Sequence, residues 1–326
     1  SILFRSADES VVLIDIPRSL EESQVAIGQR PTRRLRSGPP PLKPLPTPEP
    51  KNGETVSSLA FATQVAHLMT AEAARRALNL LAEYYTGPFC LDRVTASSSS
   101  SSSSDTKPGV DVLVPDGARY ISGSLEETKH ALLDQAPPSF DLIVLDPPWP
   151  NRSVRRHADS YATPRDLPAM RRLLLEVPVS DRLAPDGLVA VWITNKPAAH
   201  SLMTSPTGVL AAWGLELVAE WTWLKVAASG EPLYSLDSAW RKPWERLLVA
   251  KPRGGRVPRA LTAAKVIAAV PDVHSRKPSL RMLFRDVLAS DYVGLEVFAR
   301  NLTSGWWSWG DEVVKFQQVD CWLQTS

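Results

Sequence analysis

The chain has 326 residues, 44% hydrophobic and 22% charged, a composition that supports a substantial buried core. No apolar run reaches the ~18 residues of a membrane span, and two cysteines, Cys90 and Cys321, are too few for a disulfide scaffold, which favours a reducing compartment, cytosol or nucleus. The 37 Lys and Arg against 35 Asp and Glu leave a net charge of +2, so a nucleic-acid partner must be met by local patches rather than by bulk charge.

In chain order, residues 1–27 read as a strand hairpin, Ile2–Arg5 and Val11–Ile16, joined by the polar turn Ala7-Asp8-Glu9-Ser10. No signal-peptide pattern opens the sequence, and Ser1 in place of a Met is compatible with a fragment. Residues 28–54 read as an extended Pro-rich linker, with eight prolines in the twenty residues from Pro31 to Pro50. Its basic cluster, Arg30–Arg36, suits a solvated linker better than a nuclear-import signal. Residues 55–95 form a helical segment: Val65, Leu68, Ala74, Leu78, Leu81 and Tyr85 recur near helical spacing, as expected of a helix packed on the main domain. Residues 96–109, with eight serines at Ser97–Ser104, read as a flexible tether.

Residues 110–326 alternate short apolar runs with helical stretches. The runs are Val110–Val114, Leu142–Leu145, Gly187–Thr194, Leu215–Leu224, Arg246–Ala250, Val266–Val270 and Leu295–Phe298. This pattern predicts an α/β domain with a mostly parallel sheet of about seven strands. Ligands of such sheets gather beyond the carboxyl ends of the strands, which directs attention to the loops that follow each run.

The most informative of these loops follows Leu142-Ile143-Val144-Leu145: Asp146-Pro147-Pro148-Trp149. A residue before proline is held extended, so the Asp146 carboxylate is fixed at a strand tip. Pro147 keeps its carbonyl acceptor without an amide hydrogen of its own, and Trp149 offers a flat face to a base or cation. Two acceptors and an aromatic wall suit a planar ring gripped through an exocyclic amino group.

The segment Phe140-Asp-Leu-Ile-Val-Leu-Asp-Pro-Pro-Trp149 resembles the signature of the DPPW-type adenine-N6 methyltransferase family. Asn151-Arg152-Ser153-Val154-Arg155-Arg156, Leu295–Leu302 and Gly305–Val313 resemble the branch called methyltransferase-like protein four. The resemblance implies a Rossmann-like methyltransferase fold with S-adenosyl-L-methionine as cofactor. It also implies catalytic roles for Asp146, Pro147, Pro148 and Trp149. Cofactor contacts are implied at Ser122, Asp146, Lys277, Glu296, Arg300, Asn301, Asp311 and Glu312, with Lys277 approaching the cofactor carboxylate. Three positions depart from the family pattern: Arg276 stands where a histidine is usual, Asp311 where an asparagine is usual, and the segment Tyr120–Ser124 lacks the family's aspartate.

Other chemistries find little support. The five histidines show no zinc spacing, and neither a Walker loop, a G-x-S-x-G nor a G-x-G-x-x-G occurs, so no metal is expected. Charge is uneven, however. Six arginines lie between Pro150 and Arg172, and seven basic residues face Glu245 alone between Trp240 and Arg259, interleaved with Tyr161, Trp240 and Trp244. A basic, aromatic rim suits a polynucleotide with splayed bases. Asn151, Arg152, Arg155, Arg156, Tyr161 and Trp223 are the expected substrate contacts. The reading is an RNA adenine-N6 methyltransferase of the nucleus, also compatible with the cytosol, acting as a monomer. The branch resemblance implies 2′-O-methyladenosine in small nuclear RNA as its target. DNA adenine methylation, or a non-catalytic nucleic-acid-binding partner of the same fold, are the alternatives.

Overall fold

The computed structural model describes residues 1–47, 61–95, 111–150, 164–238, 241–289 and 291–324. The chain opens with strands β1 (Ile2–Arg5) and β2 (Val11–Ile14), helix α1 (Ile16–Ser23), strand β3 (Arg33–Ser37), helix α2 (Phe61–Tyr84) and strand β4 (Val94–Thr95). Next come β5 (Arg119–Ser122), α3 (Leu125–Gln135), β6 (Phe140–Leu145), α4 (Leu167–Glu176), α5 (Val179–Arg182) and β7 (Leu183–Ile193). Helices α6 (Pro197–Thr204) and α7 (Val209–Ala212) lead into β8 (Leu215–Lys225), β9 (Trp244–Pro252) and β10 (Ala264–Ala269). Helix α8 (Arg281–Arg285) and strands β11 (Gly294–Val297), β12 (Trp307–Gly310) and β13 (Trp322–Gln324) complete it.

Ten strands form one sheet in the order β1-β2-β10-β8-β9-β7-β6-β11-β12-β5. All neighbours are parallel except β1 with β2 and β9 with both β7 and β8. Strand β6 lies at the centre because it is apolar on both faces: Ile143 and Leu145 enter one core cluster, Leu142 and Val144 the other. The same alternation in β7 sends Val189, Val191 and Ile193 one way and Leu188, Ala190 and Trp192 the other.

The α/β class and the mostly parallel sheet agree with the sequence reading, but the strand count exceeds the expected seven. The N-terminal hairpin is an edge of the main sheet, since β2 pairs in parallel with β10. It also ends earlier than expected, because Asp15 caps α1 by accepting the Arg18 N–H. Strands β5 and β12 lie outside the expected apolar runs, since Arg119–Ser122 and Trp307–Gly310 are short and of mixed polarity. Val110–Val114 is not a strand over its described part, where Val112 makes only an isolated bridge to Gln318.

Two further corrections concern the N-terminal third. Arg33–Ser37, placed within the linker by composition, is strand β3 of a second sheet, between β13 and β4, and Leu35 is buried. In α2 the buried positions are Ala71, Ala74, Ala77 and Leu81, whereas Leu68 is exposed and Val65 nearly half exposed. Small alanines let the helix lie close to the sheet, so the buried stripe is not the bulkiest one. The Ser-rich tether at 96–109 lies outside the described residues.

Candidate active site

The carboxyl ends of the parallel strands open on a cleft of about 630 Å³, lined by residues from every central strand loop. Strand β6 delivers Asp146, whose N–H reaches the Val297 carbonyl of β11 at 3.4 Å. Strand β8 delivers Trp223 and Lys225, and β7 delivers Trp192, Thr194 and Asn195. Because β9 runs antiparallel, its first residues, Trp244 and Glu245, arrive at the same rim.

Asp146 is the hub. Its two carboxylate oxygens accept from Lys277 Nζ at 3.0 and 3.1 Å, and Arg300 donates to it at 3.3 Å. Lys277 also pairs with Glu245 at 3.3 Å, and Glu245 with Lys225 at 2.5 Å. Arg300 pairs with Glu312 at 3.0 Å, and Glu312 with Lys315 at 2.8 Å. Burial alone would lower the Lys277 pKa, but the Asp146 and Glu245 carboxylates outweigh it and hold the ammonium above its usual range. Burial would likewise raise Glu245; the Lys277 and Lys225 charges instead pull it down to about 2.

Glu296, on β11, lines a separate cavity of about 30 Å³ shared with Asp146, Arg300 and Asn301, room for about one water molecule. Its carboxyl is pushed up to about 7, first by desolvation and then by the Asp146 charge, against opposition from Arg300 and Lys277.

The aromatic members are placed by backbone geometry. Trp149 donates its indole N–H to the Trp192 carbonyl at 2.8 Å, which fixes the ring against the cleft wall. Its backbone N–H reaches back to the Pro147 carbonyl at 2.8 Å, so that acceptor is already half used, contrary to the free carbonyl expected from sequence. Trp192 and Trp223 meet edge to face at 6.0 Å, and Lys277 stands over both rings at 5.8 and 6.0 Å.

The structure thus brings together most of the residues picked from sequence. Asp146, Pro147, Pro148, Trp149, Trp223, Lys277, Arg300 and Glu312 line the main cleft, and Glu296 and Asn301 line the adjoining cavity. Ser122 and Asp311 do not line either; both are exposed at the end of the β5–β12 pair, where Ser122 registers with Gly310. Asn151, Arg152, Arg155, Arg156 and Tyr161 lie outside the described residues. The sequence reading missed Lys225, Trp192, Lys315 and the part played by Glu245. For Glu245 a signal existed: it is the lone acid in a basic stretch. No group of three or more metal-binding side chains occurs among the described residues.

A family model described as MT-A70 matches residues 140–312. The chain is 49% identical over 333 residues to the N6-methyladenosine RNA methyltransferase MTA1 of Cryphonectria parasitica, an alignment covering 100% of this chain and 95% of that protein. Identity to the protein of the same name from Pyricularia oryzae is 43% over 364 residues, covering 98% and 96%. Identity to the N(6)-adenine-specific methyltransferase METTL4 of Homo sapiens is 36% over 196 residues, covering 57% of this chain and 40% of that protein.

Proposed function

The chain belongs to the MT-A70 family of S-adenosylmethionine-dependent methyltransferases and is an adenine-N6 methyltransferase; from that premise we propose that it acts on RNA, with S-adenosylmethionine on the Lys277–Arg300 side of the cleft. The donor set fits that cofactor. Lys277 and Arg300 would hold its carboxylate, Asp146 and Glu296 its ammonium, and Glu312 and Asn301 its hydroxyl groups. When bound, the cofactor supplies an electrophilic methyl group on a sulfonium.

The chain's own residues do the rest. The amino nitrogen of adenine is a weak nucleophile because its lone pair is delocalised into the ring. Asp146 and the remaining lone pair of the Pro147 carbonyl accept its two N–H bonds, which favours pyramidal nitrogen and aims the lone pair. These bonds strengthen as positive charge develops, so they act on the transition state rather than on binding. Asp146 or water takes the proton that the nitrogen sheds. Trp149, pinned to Trp192, holds the ring plane and narrows the approach. The observation that carries this reading is the meeting of Asp146 with Lys277 and Arg300 at the floor of one aromatic cleft.

RNA is favoured by the rim. Trp223 lies under Lys225 at 4.6 Å, Tyr234 under Arg241 at 4.8 Å and Trp244 under Lys242 at 5.3 Å, three cation–aromatic pairs along the cleft. The cations of such pairs suit the phosphates of a single strand, while the three rings, at 3%, 8% and 1% exposure, back the cations rather than stack on bases. A duplex base must first be flipped out, at a cost of a few kcal/mol that a looped RNA adenine is largely spared. The two relatives aligned over nearly their whole length, both N6-methyladenosine RNA methyltransferases by name, support the same substrate. The finer reading, 2′-O-methyladenosine in nuclear small RNA, is supported by the branch resemblance.

Three oligonucleotides of one sequence test this: RNA with a 2′-O-methyl acceptor, unmodified RNA, and duplex DNA. Methyl incorporation followed by nucleoside analysis should rank them in that order. Preference for duplex DNA would overturn the RNA assignment, and equal rates on the two RNAs would remove the claim that the sugar is read.

A further inference from the structure

The loop between β10 and Lys277, residues 271–277, has no regular secondary structure and holds Ser275 at φ +69°, a conformation that β-substituted residues rarely adopt. Within the loop the Arg276 N–H reaches the Val273 carbonyl at 3.1 Å. A segment so strained and so lightly tied is a poor support for a side chain that must meet a ligand at a fixed distance. Its rigidity is supplied from outside.

The supply is a buried charge cluster next to Lys277 in sequence. Asp272 is fully buried, and Arg93 and Arg276 are 2% and 3% exposed. One Asp272 oxygen accepts from Arg276 at 2.6 Å and from the Ser37 hydroxyl at 3.2 Å; the other accepts the Gly38 N–H at 3.1 Å and faces Arg93 at 3.7 Å. Arg93 donates to the carbonyls of Val270, Pro271 and Gly38 at 3.1, 3.0 and 3.2 Å. Arg276 donates to the Arg36 carbonyl at 3.0 Å and lies over the Phe316 ring at 4.4 Å. Three separate stretches of chain, 36–38, 93 and 270–276, are therefore fastened through one carboxylate.

We propose that Asp272, with Arg93 and Arg276, is a positioning cluster: it clamps the 271–277 loop to the β3 strap and so holds Lys277 where the cofactor carboxylate is bound. None of the three is a catalytic residue; they act through Lys277. The proposal rests on the placement of S-adenosylmethionine given above. A hydrophobic replacement of the whole cluster would fill the volume, but burying two guanidinium groups around one carboxylate is costly unless each bond is made. Here the terminal nitrogens bond Asp272 and backbone carbonyls on both sides of the clamp, and the buried Nε atoms of Arg93 and Arg276 are left without a partner, a cost that a geometric role would justify. The cluster also accounts for arginine at position 276: one guanidinium nitrogen, Nη1, reaches both the Arg36 carbonyl and Asp272 while the planar group lies over Phe316.

Calorimetry on the full chain tests it, with S-adenosylmethionine and with a single-stranded RNA oligonucleotide titrated separately. D272N leaves two guanidinium groups without their counter-charge and releases the loop. It should weaken S-adenosylmethionine binding by about tenfold or more, as small misplacements of positioned groups do, while the oligonucleotide dissociation constant stays within about twofold, an estimate resting on its contacts being the rim pairs and not the clamp. S37A, which removes one hydroxyl from the strap side but leaves the Asp272 charge, should give the same selectivity at about threefold, the scale of a single lost hydrogen bond. If D272N does not fold, S37A decides. An unchanged S-adenosylmethionine affinity in a folded variant, or equal weakening of both ligands, would overturn the clamp. Wild-type protein that binds no S-adenosylmethionine would overturn the cofactor placement and the clamp together.

Discussion

Asp146 and Glu296 are carboxylates at the ends of neighbouring parallel strands, and their surroundings differ. Asp146 is met by Lys277 and Arg300, whereas Glu296 is desolvated beside the Asp146 charge and is held up to about 7. A carboxyl whose folded pKa is raised binds its proton more tightly folded than unfolded. The fold therefore loses stability as pH rises from the ordinary value of 4.5 to about 7, and stays lower above it. Glu296→Gln removes the charge that causes this loss. Its melting temperature should match wild type near pH 5 and exceed it at pH 8; an equal difference at both values would show that Glu296 does not titrate in that window. At this scale the sequence made Asp146, Lys277, Arg300 and Glu312 legible, because motif and strand-end position both mark them. Lys225 and the role of Glu245 were hidden, since their partnership depends on the register of β8 against β9, where Trp223 faces Glu245.

Elements with strong periodicity were legible and those set by distant partners were not. The runs that became β6, β7, β8, β10 and β11 are apolar enough to be strands wherever they pack. Strand β3 has one apolar residue, Leu35, between arginines in a proline-rich stretch, and it exists because β13, at the far end of the chain, pairs with it. Strand β12 was obscured by its tryptophans. Trp306, just before it, packs on Gly294, where a Cβ would collide with the ring, so a packed aromatic residue and the strand stand side by side. The assignment of β3 has a direct consequence. Leu35 is 1% exposed within the core cluster that contains Ile16, Leu20 and Trp322. Leu35→Ala should cost about 2–5 kcal/mol, the range for buried leucines, read as a fall in the denaturant midpoint with an unchanged slope. A change below about 0.5 kcal/mol, typical of exposed linker positions, would return the segment to a tether.

For the molecule as a whole, the parallel strands aim their carboxyl ends at one rim, and the reversed β9 adds its first residues to it. The Asp146 carboxylate, the cations Lys225, Lys277, Arg300 and Lys315, and the rings of Trp149, Trp192 and Trp223 therefore reach a single cleft although they come from residues 146 to 315. The net charge of +2 hides this concentration of basic groups, which is why composition alone could not point to a nucleic acid. The N-terminal third is part of the same body: the hairpin extends the sheet, and the β3 strap reaches the loop that carries Lys277. The central claim is that Asp146 stabilises charge developing on the adenine nitrogen. Single-turnover methyl transfer to a single-stranded RNA, with the S-adenosylmethionine dissociation constant measured on the same preparations, tests it most directly in wild type and Asp146→Asn. The asparagine removes one carboxylate from the cofactor ammonium but frees Lys277 for the cofactor carboxylate, so cofactor affinity should change far less than the rate, which falls by roughly 10²–10³-fold. A rate loss below about tenfold, well short of that range, would make Asp146 a turn residue and contradict the mechanism.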